Sequence, residues 1–156
     1  MAIDLNSAGV SLQYAPETTA GTRPTTGYIA IKGLKSIPEL DPKPETHDTT
    51  TLDAKKYKTY ISGLKDPGGA LQFSANNTEE FHSQWETLMD AYETAKETGK
   101  SIWFVVVIPG LTRAFYLSGE PAELGLSAIE VDSVLEINPY ITPNNIHGWD
   151  AKPTTT

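Results

Sequence analysis

The residues best suited to metal binding or proton transfer are three histidines, His47, His82 and His147. A metal site needs ligands at short, defined spacings, and a proton relay needs a carboxylate or hydroxyl beside the imidazole. No two of the three stand at a ligand spacing. His47 falls in a proline-rich loop, His82 at the border of a helical stripe, and His147 near the C-terminal end. They read as solvated or boundary residues. The chain has no cysteine, so thiol nucleophiles, disulfides and zinc–thiolate sites are excluded. Glu130, Asp132 and Glu136 recur at even spacing, but three acids without a histidine or apolar lining are weak material for acid–base chemistry. Gly68-Gly69 follows Asp66-Pro67 and leads into a strand pattern, which makes it a turn and not a phosphate cradle. Gly119-Glu120-Pro121 contains no serine nucleophile, and the glycosylation sequon at Asn76-Asn77-Thr78 has no secretory leader to give it meaning. The expectation is a non-enzyme with no catalytic residue, metal or cofactor.

What must position these residues is one helix and a set of strands. Residues 77–99 carry the only clean helical period. Phe81, Trp85, Leu88, Met89, Tyr92 and Ala95 fall on one stripe, and Glu79, Glu86, Asp90, Glu93 and Glu97 on the other face. Asn77 is the expected N-cap with Glu80 three residues on, and Gly99 the stop. Phe81, Trp85, Leu88, Met89 and Tyr92 are the expected helix–sheet core. Strands are expected at 10–14, 28–37, 55–64, 70–75, 112–118 and 128–137. Those at 55–64 and 70–75 should form a hairpin about the Pro67-Gly68 turn. Residues 102–108 are seven consecutive apolar residues, a strand covered on both faces by its own core or by its core and a neighbour. Residues 128–137 alternate most regularly: Ile129, Val131, Ser133, Leu135 and Ile137 face one way, Glu130, Asp132 and Glu136 the other. The fold class implied is mainly β, an antiparallel sandwich or curled sheets with one packed amphipathic helix (α+β).

A length of 156 residues suits a single domain, 1–156. It would carry an N-terminal arm over about 1–26, a long loop over about 38–54 and a C-terminal tail over about 144–156. No leader or membrane-length apolar run is visible, so a protein made in the cytoplasm is expected. Net charge is −8, unevenly spread. Residues 1–65 hold seven acids and eight bases; residues 66–150 hold thirteen acids and three bases, Lys96, Lys100 and Arg113. Without a cluster of Lys and Arg, tight DNA binding is not expected.

The chain also carries features that an isolated sandwich does not need: an all-apolar strand, a long proline-flanked loop and a strand with one acidic or small face. Polymerising subunits use such surplus to reach neighbours. Several motifs carry a resemblance. They are Gly9-Val10-Ser11-Leu12-Gln13-Tyr14, Pro44-Glu45-Thr46-His47-Asp48-Thr49-Thr50, Lys58-Thr59-Tyr60-Ile61-Ser62-Gly63-Leu64-Lys65-Asp66 and Gly68-Gly69-Ala70-Leu71-Gln72-Phe73. The helix with Trp85, residues 104–109, 115–119 and the closing strand from Ile129 follow in order. Over roughly residues 5–142 the sequence resembles the major tail tube proteins of phages with long, non-contractile tails. That resemblance implies hexameric rings stacked into a tube, a virion component made in the bacterial host. The tube encloses a tape measure protein and meets a tail terminator and a distal tail protein. DNA passes through as non-specific transit, and no membrane is involved. It also assigns the loop between early strands to contact with the adjacent ring: Pro38, Glu39, Leu40, Asp41, Pro42, Lys43, Pro44, Glu45, His47 and Asp48. A bore that conducts DNA should repel phosphate, which makes Glu130, Asp132 and Glu136 candidates for the lumen. The lysine-bearing strand 55–64 is the rival candidate. The alternative from another class is a soluble carbohydrate- or adhesin-like binding module, with Trp103, Trp149 or Tyr140 as an aromatic platform.

Overall fold

The apolar run near residue 102 becomes the interior strand around which the larger part of the molecule is built. The computed structural model describes residues 9–41, 43–65 and 69–153. In chain order the elements are β1 (Ser11–Pro16), β2 (Ile29–Ile31), β3 (Leu34–Ser36), β4 (Pro44–Asp48), β5 (Tyr60–Lys65) and β6 (Leu71–Gln72). Then come β7 (Ser74–Asn76), α1 (Glu79–Glu97), β8 (Ile102–Val107), β9 (Arg113–Pro121), β10 (Glu136–Ile137) and β11 (Tyr140–Ala151). The chain divides into two units, one of Met1–Pro38 with Ala70–Thr156 and one of Glu39–Gly69. The fold is mostly β, in curled antiparallel sheets with one helix.

The larger unit has a six-stranded sheet in the order β2-β1-β8-β9-β11-β6 and a three-stranded sheet in the order β10-β7-β3. Three chain segments cross from one sheet to the other: β2 to β3 through Gly33, β6 to β7 through Phe73, and β10 to β11 through Pro139. Strands that change sheets at a bend make the corner of such a packing. Gly33 makes its bend at φ +93°, a conformation that side chains resist. Phe73 is buried at its own bend, its N–H donating to Pro139 O at 2.9 Å.

Strand β8 has Ile102, Trp103, Phe104, Val105 and Val106 buried. Its alternate side chains meet two covers. Helix α1 packs on β1, β2, β8 and β9 with Phe81, Trp85, Leu88 and Ala95 buried. Removing each large side chain of that stripe from water contributes about 1.5–3 kcal/mol. The opposite face, with Trp103, Val105, Ala114 and Tyr116, packs with Tyr28. Both faces are therefore covered from within the chain.

The helix starts one residue later than its spacing suggested. Thr78 is the N-cap, its hydroxyl accepting from Phe81 N at 3.1 Å. Asn77 Oδ1 instead accepts from His82 Nε2 at 2.6 Å. The end is as expected: Gly99, at φ +72°, and Lys100 donate back to Lys96 O and Ala95 O. Met89 and Tyr92, expected in the core, are only half-buried, and the buried contacts of the helix are Phe81, Trp85, Leu88 and Ala95.

Other expectations are corrected. Residues 128–137 do not form a strand; only Glu136–Ile137 pairs, with β7. Val131 and Asp132 form a turn, with Asp132 at φ +58°. Strand β5 does not pair with 70–75. It pairs with β4, inside the stretch read as a loop, while β6 pairs with β11. The strand expected at 10–14 is present as Ser11–Pro16, but it lies in the interior between β2 and β8 and not in an arm over 1–26. Tyr140–Ala151 overlaps the expected tail but pairs with β9, its prolines and glycine absorbed by irregularities between Pro143 and Asn145 and between Ile146 and Gly148.

The smaller unit is a two-stranded antiparallel sheet, β4 with β5. None of its described residues is buried. Thr49 N donates to Thr59 O at 2.8 Å, and the Thr49 and Thr59 hydroxyls meet at 2.9 Å, so the unit is held by polar contacts.

Candidate interaction surfaces

One polar cluster in the larger unit resembles a catalytic arrangement at first sight. Ser118 Oγ lies 3.1 Å from His147 Nε2, and a buried carboxylate, Glu17, stands near. The carboxylate is already engaged: Glu17 accepts from Ser101 N at 2.8 Å on one oxygen and from Trp103 Nε1 at 2.9 Å on the other. A nucleophile–base pair needs its third group hydrogen-bonded to the imidazole, and here that group is bound elsewhere. Burial alone would push the Glu17 carboxyl up; the Ser101, Trp103 and Gly21 donors outweigh it, aided by His147, and leave it below its ordinary value. His147 stacks on Trp103, centroids 3.9 Å apart. Burial, with help from Arg23 and against the pull of Glu17, holds it below the usual imidazole value.

This cluster fastens residues 17–28 across the sheet. Arg23 lies over the Tyr116 ring at 4.7 Å and reaches Asp150 at 2.6 Å. Tyr28 meets Tyr116 edge-on and donates its hydroxyl to Pro24 O at 2.9 Å. Tyr116 in turn donates to Ala151 O at 2.6 Å. The arrangement closes a seam. Its partners lie 84 and 86 residues apart in the chain for Glu17 with Ser101 and Trp103, so no local spacing could have revealed it.

The opposite condition holds in two other stretches. Large hydrophobic residues exposed among the described residues number thirteen, and ten of them fall in two short runs. Leu52, Tyr57, Tyr60, Ile61 and Leu64 lie in the smaller unit; Leu126, Ile129, Val131, Val134 and Leu135 lie in residues 122–135. Val131 is 95% exposed and Leu64 86%. An isolated hairpin is marginal in water, and apolar residues gathered in exposed patches mark interaction surfaces. Residues 122–135 are held at their ends. Trp85 Nε1 donates to Ala122 O at 2.8 Å, Ala122 N to Tyr140 O at 3.0 Å, and Asn77 N to Leu135 O at 2.9 Å. Between these posts Ser127 Oγ accepts from Asn138 Nδ2 at 3.4 Å, while Leu126, Ile129, Val131 and Val134 face water.

The acids expected to share a face are separated. Glu130 and Asp132 lie in the exposed stretch, whereas Glu136 is in β10 and ion-paired with Lys35. Of the residues assigned to ring contact, Pro38 ends the first part of the larger unit, and Glu39, Leu40, Asp41 and Lys43 lead into β4. Pro44, Glu45, His47 and Asp48 are in β4, and Pro42 lies outside the described residues. The helix acids Glu79, Glu86, Asp90, Glu93 and Glu97 are exposed, as expected. Trp103, considered for an aromatic platform, is buried; Trp149 and Tyr140 are partly exposed. Among the described residues no group of histidines and acids is placed to hold a metal ion, and no helix is long and apolar enough to cross a membrane.

An antiparallel β fold with one helix, two sheets meeting at a three-stranded corner and a separate hairpin defines the class. No protein-family model matches the sequence, and neither does the sequence of any curated protein. Solved structures do share the fold. A chain in the cryo-EM structure of the anti-feeding prophage baseplate, 6-fold symmetrised, is similar with a TM-score of 0.64 at 11% identity, over 95% of this chain and 97% of that one. A chain in the structure of the anti-feeding prophage cap, which terminates its tube, is similar with a TM-score of 0.57 at 10% identity, over 97% and 93%.

Proposed function

We propose that this chain is a structural subunit of a phage-tail-type assembly, acting by joining copies of itself and not by catalysis. The observation that carries this reading is the concentration of exposed apolar residues in two runs, one of them in a unit with no core of its own. A fold shared with chains of the baseplate and cap structures supports the tail setting. On this reading copies close into rings, hexameric as the sequence resemblance implies. Rings stack into a tube around a tape measure protein, in the virion, and DNA crosses the bore without being gripped. The acidity of residues 66–150 suits such a bore, because low-dielectric walls focus repulsion of phosphate.

The lumen assignment of the three acids changes under this reading. Glu136 is neutralised by Lys35, and Glu130 and Asp132 stand among apolar side chains that a water-filled bore would leave wet. We assign those two to contact between copies. The test is light scattering over a concentration series, followed by negative-stain microscopy with and without preformed tail assemblies as seeds. Rings or tubes are expected. A monomer that persists at every concentration, even when seeded, overturns the proposal.

A further inference from the structure

Granting that copies of this chain associate, we infer that the two exposed apolar runs are the two halves of one head-to-tail contact: residues 122–135 of one copy seat on residues 52–65 of the next. Each run displays five large apolar side chains, and their charges are opposite. Residues 52–65 carry Lys55, Lys56, Lys58 and Lys65 against Asp53 alone; residues 122–135 carry Glu123, Glu130 and Asp132 and no base. Among the described residues the ion pairs are Arg23–Asp150 and Lys35–Glu136, so none of these lysines or of Glu123, Glu130 and Asp132 is ion-paired with another described residue.

Charge decides which run meets which. Seating either run on its own counterpart would set lysines against lysines or carboxylates against carboxylates, which is repulsive. Seating one run on the other pairs opposites, and where that contact is not reciprocated between the same two copies it generates rings or open filaments.

The backbone gives a mode of binding. The smaller unit's sheet consists of β4 and β5, which leaves β5 with one unpaired edge among the described residues. Ile129, Val131, Ser133 and Leu135 have the alternation of a strand, yet among the described residues no strand pairs with residues 126–135, although Leu135 O accepts from Asn77 N. Added along β5, this stretch would become a third strand, its main chain supplying hydrogen bonds and its alternate side chains the apolar contact. Straightening would also free Asp132 from its left-handed conformation at φ +58°, which is unfavourable for a residue with a Cβ.

The absence of cysteine makes the test clean. Leu64→Cys and Val131→Cys are made as separate chains with different affinity tags, both at exposed positions, then mixed under mild oxidation, with microscopy in parallel. The mixed 64–131 disulfide is expected to exceed either homodimer by about tenfold or more. Homodimers in equal or greater yield overturn the inference. Assemblies without the mixed disulfide overturn it but leave self-association standing; no assembly at all, even seeded, removes both. A second pair of variants tests the charges. Lys55→Glu with Lys56→Glu and Lys58→Glu should weaken association about tenfold or more, and a partner carrying Glu130→Lys and Asp132→Lys should recover most of it. Failure to recover overturns the pairing.

Discussion

Residues 17–28 and residues 122–135 are both irregular segments of the larger unit, and they treat their side chains in opposite ways. In the first, a buried carboxylate is met by the Trp103 indole donor, an arginine by a ring and a countercharge, and a tyrosine by a ring, all on the sheet beneath. In the second, hydrogen bonds hold the ends while Leu126, Ile129, Val131 and Val134 remain in solvent. The difference separates two uses of irregular backbone. One completes the fold of the single chain; the other is left incomplete by it, at a site where the local β pattern and the global fold disagree.

The contrast can be broken hardest at Trp103. Trp103→Ala removes a buried ring and leaves Glu17 without its indole donor, and should cost about 3–5 kcal/mol in urea unfolding. Glu17→Ala leaves Ser101 N and Trp103 Nε1 unsatisfied and should cost about 1–3 kcal/mol. Because the two residues share one hydrogen bond, the double variant should lose less than the sum.

Acidification provides a gentler probe. His147 is held below its ordinary value of 6.5, so as pH falls through that range the unfolded chain takes up a proton before the folded one does, and stability drops. Glu17 is also held below its ordinary value; its contribution is present above the ordinary carboxylate range and is lost as pH falls through the depressed value. The urea midpoint should therefore decline from near neutrality downward. His147→Gln should flatten the first part of the decline only. The smallest effect belongs to the other segment. Ile129→Ser and Val131→Ser should change the stability of the monomer by no more than about 0.5 kcal/mol while raising the concentration at which assemblies appear. If these substitutions destabilise the monomer as Trp103→Ala does, the two segments do not differ as described.

Sequence pattern located what the chain buries within itself. The run at β8 could only be a strand covered twice, and the 3.6-residue period of Phe81, Trp85 and Leu88 could only be a helix on a sheet. Its start lies one residue past the expected Asn77 cap because Thr78 is a capping residue too, and its hydroxyl is the one that accepts from Phe81 N. Strand β4 was hidden because Pro44, Glu45, Thr46, His47 and Asp48 show no apolar alternation, and nothing in the unit demands one. Strand β11 was hidden by Pro143, Asn144, Asn145 and Gly148, which its irregular register accommodates. For residues 128–137 the alternation pointed to a strand with one buried face, whereas the fold pairs only Glu136–Ile137 and leaves Ile129, Val131 and Leu135 exposed. The surfaces were legible only in part: the alternation of Ile129 and Val131 could be seen, while their exposure required the fold.

Both posts of the 122–135 segment lead to one place. Ala122 hangs from the indole of Trp85 within helix α1, and Leu135 is held by the N–H of Asn77 just before that helix begins. The helix is thus a rigid bracket for a short cable. A pull on the cable enters β9 and β10 through the backbone, and the hydrogen bonds at Trp85 and Asn77 share it with the helix, which packs on β1, β2, β8 and β9. The most irregular stretch of the larger unit is thus tied at both ends to its stiffest element.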